Sequence, residues 1–417
     1  MSSDANSDAV NIFTNPEAYT DLQAWHAVAA RLRREDPVCR VESARFEPFW
    51  AVTRHADVNE IQRQNDKFHN TIASVLQTRQ QVAQMRSRGP MLKTLINMDG
   101  QEHRNYRAVT NDWFKPNNLK RTLQPRISDL ARKYVDRMGE LGGECDFAMD
   151  VARYYPLQVI MSILGVPESD ELKMLDLTQK LFGADDPDLA GSPDREAVAL
   201  AAVMDFISYF REVTDDRRAH PGSDLASTIA NGTVDGKSLE DLHTFSYYVI
   251  VATAGHDTTS STLAGGLAEL IRNPDQIKLL QQNPDLIDNA VEEMIRWVTP
   301  VRHFMRFAQA DYVLRGKNIK AGDGLLMSYL SANRDEEVFE QPLRFDVSRA
   351  NAEEHLAFGV GVHFCLGATL ARMELRTFFR ELLPRLESIE LTGPTQYSAA
   401  TFVGAPKRIP IRYKLRK

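Results

Sequence analysis

With 417 residues, 43% of them hydrophobic and 26% charged, the chain can bury a large core, and nothing in it resembles a low-complexity interdomain linker. A formal charge of −7 argues against a general nucleic-acid binder. Cys39, Cys145 and Cys365 are too few for a disulfide framework and fit a reducing cytoplasm. The acidic, polar amino terminus has neither the basic start nor the apolar run of a signal peptide, and the apolar stretch Tyr247 to Gly255 stops at His256 and Asp257, well short of the ~18 residues that span a bilayer. A soluble, cytoplasmic, non-membrane protein is expected.

Along the chain, Asp21 to Arg34 reads as an amphipathic helix with Trp25, Val28 and Leu32 on one face, ended by Asp36-Pro37. Val38 to Val41 and Phe49 to Val52 alternate across a polar turn as two strands, and His55 opens another helix. Residues from about Asn70 to Thr94 are rich in Gln, Arg, Ser and Met with weak periodicity and read as a mobile loop. In the helical stretch Asn97 to Asn111, His103 and Arg107 lie four apart on one face; this suits either an exposed polar face or the binding of an anion. Arg121 to Gly165 is helical in pattern, broken at Leu141-Gly142-Gly143, and Asp185-Asp186-Pro187 with Gly191-Ser192-Pro193 marks a flexible loop.

Leu242 to Asn273 is the longest helix expected, apolar nearly all round as a buried central helix must be. Ala254 to Thr259 interrupts it with a carboxylate and hydroxyls, which cost stability in an apolar element unless they are satisfied or useful. Glu293 and Arg296, three apart on the next helix, have a spacing usual for an exposed ion pair of small energetic value. Tyr312 to Leu314, Arg315-Gly316 and Asn318-Ile319 read as strand, turn and strand, and Ile409 to Ile411 as a strand near the end of the chain.

Phe358 to Gly367 carries the most chemistry. Gly359 and Gly361 suit a tight hairpin, and Cys365 follows where Leu366, Leu370, Met373, Phe378 and Leu382 begin a helix-spaced pattern. Unpaired N–H groups and the helix dipole at such a position favour a thiolate. A single cysteine with no Cys-x-x-Cys nearby cannot form a zinc site, whereas one thiolate suffices as the axial ligand of a haem iron.

Phe358, Gly359, Gly361, His363, Cys365 and Gly367 resemble the haem-binding loop of the cytochrome P450 family at every constrained position, and Ala254-Gly255-x-Asp257-Thr258 resembles its oxygen-binding motif. The resemblance implies a mainly α, triangular-prism fold in one domain over residues 1–417, with a minor β region from about 38–54, 311–327 and 389–413. It implies haem b held by Cys365, with His103, Arg107, Arg306 and His363 as further cofactor-binding residues, and Asp257 and Thr258 as proton relays. Glu293, Arg296 and Arg349 resemble the family's structural network. Ile250, Ala254, Val301, Phe304, Phe402 and Val403 match pocket positions, the segment near Asn70 to Thr94 would form a pocket wall, and the loop near Asp185 a lid.

The implied reaction is insertion of one oxygen atom from O2 into a C–H bond of a small hydrophobic substrate. Gly359-x-Gly361 lacks the setting of a nucleotide site, so electrons are expected from a ferredoxin with a separate ferredoxin reductase, with the enzyme a monomer; Arg104, Lys115, Lys120, Arg121 and Arg372 suit either a basic docking face for it or ordinary solvated charges. Gly143 to Phe147, Tyr154 to Leu157, Ala254 to Thr259 and Ser331 to Asp335 resemble the α-terpineol hydroxylase branch. This favours a monocyclic terpenoid or alkyl-aromatic over linear terpenoids, alkanes, polycyclic aromatics or sterols. The rival activities are a peroxygenase, which the retained Asp257 and Thr258 argue against, and a haem-based sensor or binding protein.

Overall fold

The computed structural model describes residues 3–89, 91–182, 195–404 and 406–416. The helix Leu22–Glu35 starts at Asp21, whose carboxylate accepts from the Ala24 N–H at 3.0 Å, and it buries Trp25, Ala29 and Leu32 as its periodicity requires. Against it lies the helix Ser3–Thr14, which the polar amino-terminal sequence did not announce. Ile12 and Phe13 are buried there, and the Ile12 carbonyl accepts from Trp25 Nε1 at 2.8 Å.

A five-stranded sheet runs in the order Val38–Val41, Phe49–Val52, Gly324–Ser328, His303–Ala308, Phe68–His69. The first pair is antiparallel as expected, while Gly324–Ser328 joins Phe49–Val52 in parallel across more than half of the chain. Tyr312–Leu314 and Lys317–Ile319 form the expected hairpin, with Arg315 and Gly316 both at positive φ (47° and 75°), the conformation a two-residue hairpin turn needs.

Two expectations are corrected here. The stretch from Asn70 to Thr94 is not all loop, because Arg79–Arg88 forms a helix held by a capping box between Thr78 and Gln81. Beyond the break at Leu141 the chain does not resume as helix at once. Glu144–Asp146 pairs with Pro410–Leu415 and completes a three-stranded sheet with Leu386–Leu391. The loop expected around Asp185-Asp186-Pro187 and Gly191-Ser192-Pro193 lies outside the described residues.

The central helix, Asp241–Arg272, has 32 residues and so runs about 48 Å through the molecule. The helices Gln124–Glu140, Tyr155–Leu164, Ile287–Val298 and Ala368–Arg385 share one large apolar core with it. Its approach to Tyr155–Leu164 depends on Gly255, where a Cβ would lie 2.4 Å from Ile160 Cδ1. At the polar patch the central helix is thus packed closely on one side while its other side faces open space.

Candidate active site

That open space is a cavity between the central helix and the Cys365 loop, with about 1550 Å3 of atom-free space that includes open solvent. Ala254 lies midway along a buried helix and is nevertheless exposed, because its accessible surface is cavity surface. Cys365 has the same character, being deeply enclosed and accessible only where it lines the cavity. All six expected pocket residues, Ile250, Ala254, Val301, Phe304, Phe402 and Val403, line this space, together with Thr258, His103, Arg107 and His363. The structure does not place Asp257 or Arg306 in the lining.

The loop before Cys365 is not a paired-strand hairpin. Gly359 and Gly361 take φ of 66° and 73°, Gly361–His363 forms a 3-10 turn, and the Cys365 N–H donates to the Phe358 carbonyl at 2.9 Å. A Cβ on Gly361 would come within 2.7 Å of the Gln62 carbonyl oxygen, so glycine is required there for both its angle and its size. Burial pushes the Cys365 thiol up, and the backbone N–H groups of Gly367 and Ala368 with the Arg107 and Arg372 guanidinia oppose it. Gly367 is the N-cap of the helix that follows, Ala368–Arg385, and Ala368 is its first residue, so both N–H groups sit at that helix's amino terminus.

At the rim, the His103 and His363 rings lie 4.2 Å apart, and Arg107 Nη2 donates to the Phe364 carbonyl at 2.7 Å. His103 Nε2 is buried without a hydrogen-bond partner, and burial, His363 and Arg107 together pull the imidazole down to about 4. Arg306 is 3% exposed and has no carboxylate in ion-pair contact among the described residues. Asp99, which sequence reasoning missed, accepts from the Asn70 and Thr71 N–H groups at 2.8 and 2.9 Å and stands 3.7 Å from His363 Nε2. Burial alone would raise its carboxyl, but His363, Thr71 and Asn70 hold it far below the usual carboxylate range. These donors therefore face one engaged carboxylate and lack an anion.

That deficit is the test of whether haem b fits. A planar, largely apolar group with two carboxylates suits a cavity with apolar walls, a thiol on one side and, at the rim, guanidinia without a carboxylate partner and an unpartnered His103 Nε2. The residues fit.

On the opposite wall the hydroxyls bond back along their own helix, Thr258 Oγ1 to the Ala254 carbonyl at 2.8 Å and Thr262 Oγ1 to the Thr258 carbonyl at 2.9 Å. Asp257 Oδ1 lies 3.3 Å from His256 Nδ1, its Oδ2 has no partner, and burial raises its pKa. His256 Nε2 lies 2.7 Å from the Arg153 carbonyl, which can only accept, so Nε2 carries a proton. Any hydrogen bond between Nδ1 and Asp257 then needs one further proton on the pair. Glu374 was also missed. It lines the cavity fully buried with both oxygens unpaired, and burial raises it well above its ordinary value. Its signal was legible, since Leu370, Glu374 and Phe378 lie four apart on one helical stripe.

Beneath the Cys365 loop, Glu293 is fully buried. Arg296 reaches its two oxygens at 2.6 and 2.8 Å, and Arg349 Nε donates to it at 3.1 Å. The burial of this trio departs from the exposed character that the i, i+3 spacing alone suggests. Arg372, expected on a docking face, is instead engaged by Glu292 through Nε and Nη2, both at 2.8 Å, and lies over the Phe358 ring at 4.6 Å.

Glu292 also meets Arg376 at 3.1 Å and His355 Nε2 at 3.4 Å. Burial alone would raise its carboxyl, yet His355 and Arg372 draw it down to about 2. A depressed carboxyl stabilises the fold fully above its ordinary value of 4.5 and loses that contribution as the pH falls toward 2. Wild type should exceed Glu292→Gln in thermal midpoint by an amount worth on the order of 3 kcal/mol at neutral pH. That gap should close between pH 4.5 and 2. A gap independent of pH in thermal unfolding would contradict the assignment.

A family model described as cytochrome P450 matches residues 23–408. The chain is 43% identical over 410 residues to cytochrome P450-terp of a Pseudomonas species, covering 95% of each chain. It is 31% identical over 401 residues to linalool 8-monooxygenase of Pseudomonas putida, covering 95% of this chain and 97% of the relative. Among solved structures it resembles CYP108D1 from Novosphingobium aromaticivorans with a TM-score of 0.90 and 39% identity, over 99% of this chain and 98% of that one.

Proposed function

Because the chain belongs to the cytochrome P450 family and is a haem b monooxygenase, we propose that it hydroxylates a compact monocyclic terpenoid or alkyl-aromatic, with electrons from a ferredoxin and its separate reductase. The observation that carries this reading is the cavity itself, in which Ile250, Ala254, Val301, Phe304, Phe402 and Val403 offer apolar surface and no fixed charge to a substrate. Binding then draws on buried apolar area at ~25 cal/mol per Å2, which favours a hydrocarbon-like molecule over a charged one. The likeness to P450-terp, and to a relative named linalool 8-monooxygenase, supports a terpenoid substrate.

Haem b, when bound, supplies activation of O2 and transfer of one oxygen atom to a C–H bond, the other leaving as water. In this reading Cys365 would bind the iron as a thiolate, Arg107 and Arg306 would meet the haem carboxylates as cations, and His103 and His363 would hydrogen-bond them as neutral imidazoles. Thr258 holds a proton at Oγ1 beside the cavity, and Asp257, paired with His256, resupplies it. No helix among the described residues is long and apolar enough to cross a membrane.

The test of the substrate is a panel of α-terpineol, p-cymene, a linear isoprenoid, a sterol and a fatty acid, scored by the low-spin to high-spin Soret shift. The monocyclic compounds should give the strongest shift and be hydroxylated with reduced pyridine nucleotide and a surrogate ferredoxin pair. A strong shift with the sterol or fatty acid and none with the monocyclic compounds would overturn the substrate class.

The proton relay has its own test. Thr258→Ala should keep the substrate-induced shift while most reducing equivalents go to peroxide, and Asp257→Asn should slow turnover on the order of 100-fold. Unchanged coupling in the first and an unchanged rate in the second would remove the relay.

A further inference from the structure

A second cavity, of about 930 Å3 of atom-free space open to solvent, lies on the far side of the substrate-pocket wall. Its walls include Leu22, Trp297, Val298, Leu330 and Pro406, all apolar, and into it are set Arg302 and Arg334, exposed by only 3% and 2%. Two guanidinium charges taken out of water are costly unless something compensates them. Among the described residues neither has a carboxylate in ion-pair contact. Glu269, the carboxylate in the lining, is engaged by Arg272, and with the buried Glu293 it offsets the Arg334 charge only from beyond ion-pair contact.

What the two arginines do have is partial. Arg302 Nη1 donates to the Ala400 carbonyl and its guanidinium lies 4.2 Å from the Tyr19 ring centroid. Arg334 donates to the carbonyls of Arg296 and Trp297 and lies 4.6 Å from the Trp297 ring, but its Nε is buried with no partner. His26 Nδ1, in the same lining and on a residue only 8% exposed, is also unpartnered. Burial first, and then the charges of Arg334, Arg33 and Arg296, hold His26 far below its ordinary pKa, so it adds a neutral donor or acceptor to a positive site.

We propose that this cavity binds a small monocarboxylate with an apolar body, its carboxylate taken by Arg302 and Arg334 and its body by the Leu22, Trp297 and Leu330 walls. A guanidinium is the group best matched to a carboxylate, and the apolar lining selects against a fully hydrated anion.

The site is wired to the substrate pocket by short backbone links. The Arg302 N–H donates to the Phe402 carbonyl at 2.9 Å, the Gly404 N–H donates to the Pro300 carbonyl at 3.0 Å, and Val301 bridges Val403. Val301, Phe402 and Val403 line the substrate pocket, whereas Arg302 and Gly404 line the second cavity. One pair of segments thus presents a face to each space, and an occupant held on Arg302 biases the wall against which substrate packs.

The test uses the haem-loaded full chain with cyclohexanecarboxylate as probe and thermal unfolding as readout. The carboxylate should raise the midpoint in a saturable manner without shifting the Soret band, while cyclohexanemethanol should not raise it. Arg302→Gln should weaken the apparent affinity about tenfold or more, the loss of a charge-assisted pair. Gly404→Ala keeps the charge but moves it, since a Cβ there would stand 2.4 Å from Arg302 Nη2, and it should weaken the affinity as well. Binding should also change the apparent dissociation constant of a Soret-active hydrocarbon by the same factor that the hydrocarbon changes that of the carboxylate. An unmoved midpoint, undiminished binding in both variants, or a Soret shift with the carboxylate alone would each overturn the site. An equal response to inorganic phosphate would overturn the apolar-body specificity.

Discussion

Replacing Cys365 with histidine is expected to abolish monooxygenation and to remove the long-wavelength Soret band that the ferrous carbon monoxide complex shows under thiolate ligation. Cys365 lines the cavity floor opposite Ala254 and Thr258, and no other cysteine lies in the lining, Cys39 being buried in the amino-terminal core and Cys145 being in a strand of the three-stranded sheet. Its loop is held independently of the side chain by the Cys365 N–H to Phe358 bond and by the close fit of Gly361 over Gln62, so the substitution should leave the fold intact. Loss of residues that only orient a ligand costs about 10 to 100-fold, and the Cys365→His loss should exceed that range. Retention of the band in the variant, measured in the reduced carbon monoxide complex, would show that the thiolate comes from elsewhere.

Glu293→Ala is expected to prevent accumulation of folded, haem-loaded protein. Glu293, Arg296 and Arg349 lie below the Cys365 loop with exposures of 0%, 0% and 8%. Glu293 is the one carboxylate that both guanidinia contact in ion pairs among the described residues. It also accepts from the Asp346 N–H at 2.9 Å, so its loss orphans a backbone donor as well. Removing one partner of a buried ion pair costs about 3 to 5 kcal/mol, which is a large part of the roughly 5 to 15 kcal/mol by which a domain is stable. Glu293→Gln, which keeps shape and part of the hydrogen bonding, should be less damaging but still well below wild type in thermal midpoint. An exposed i, i+3 pair would be worth about 0.5 kcal/mol, so a near-neutral Glu293→Ala variant would return this pair to that class.

The proximal side carries a second consequence for electron transfer. Of the five basic residues considered for docking, Arg372 is committed to Glu292 and Phe358, and Lys115 is paired with Asp112 at 2.6 Å on an exposed turn. Arg104 and Arg121 bond only neutral side chains in their own neighbourhoods, Gln101 and Asn118. Under the proposed ferredoxin coupling these two keep more field for an acidic donor than Arg372 does, since a charge already held by a buried carboxylate has little left to offer.

What could be read from the residues in order was whatever a local rule encodes. Helical periodicity marked the central helix almost to the residue, because burial on all sides leaves a continuous apolar run. The hairpin at Arg315-Gly316 was marked by turn chemistry, and the Cys365 loop by glycines whose positive φ the structure requires. The cap of Arg79–Arg88 was equally local and legible in Thr78-x-x-Gln81, but a composition-based reading passed over it. The remainder depended on partners distant in sequence. Glu144–Asp146 is a strand only because Pro410–Leu415 lies beside it. Glu293 and Arg296 share the spacing of any surface pair, and only the packing of Arg349 and the segment near Asp346 over them removes water. Likewise the second cavity exists because Leu22, Gly265, Arg302, Arg334 and Pro406 converge from five separate segments, and no periodicity within any one of them encodes that meeting. Local bonds follow from local residue types, whereas burial, and with it the strength of every charge, is decided by what the fold brings against them.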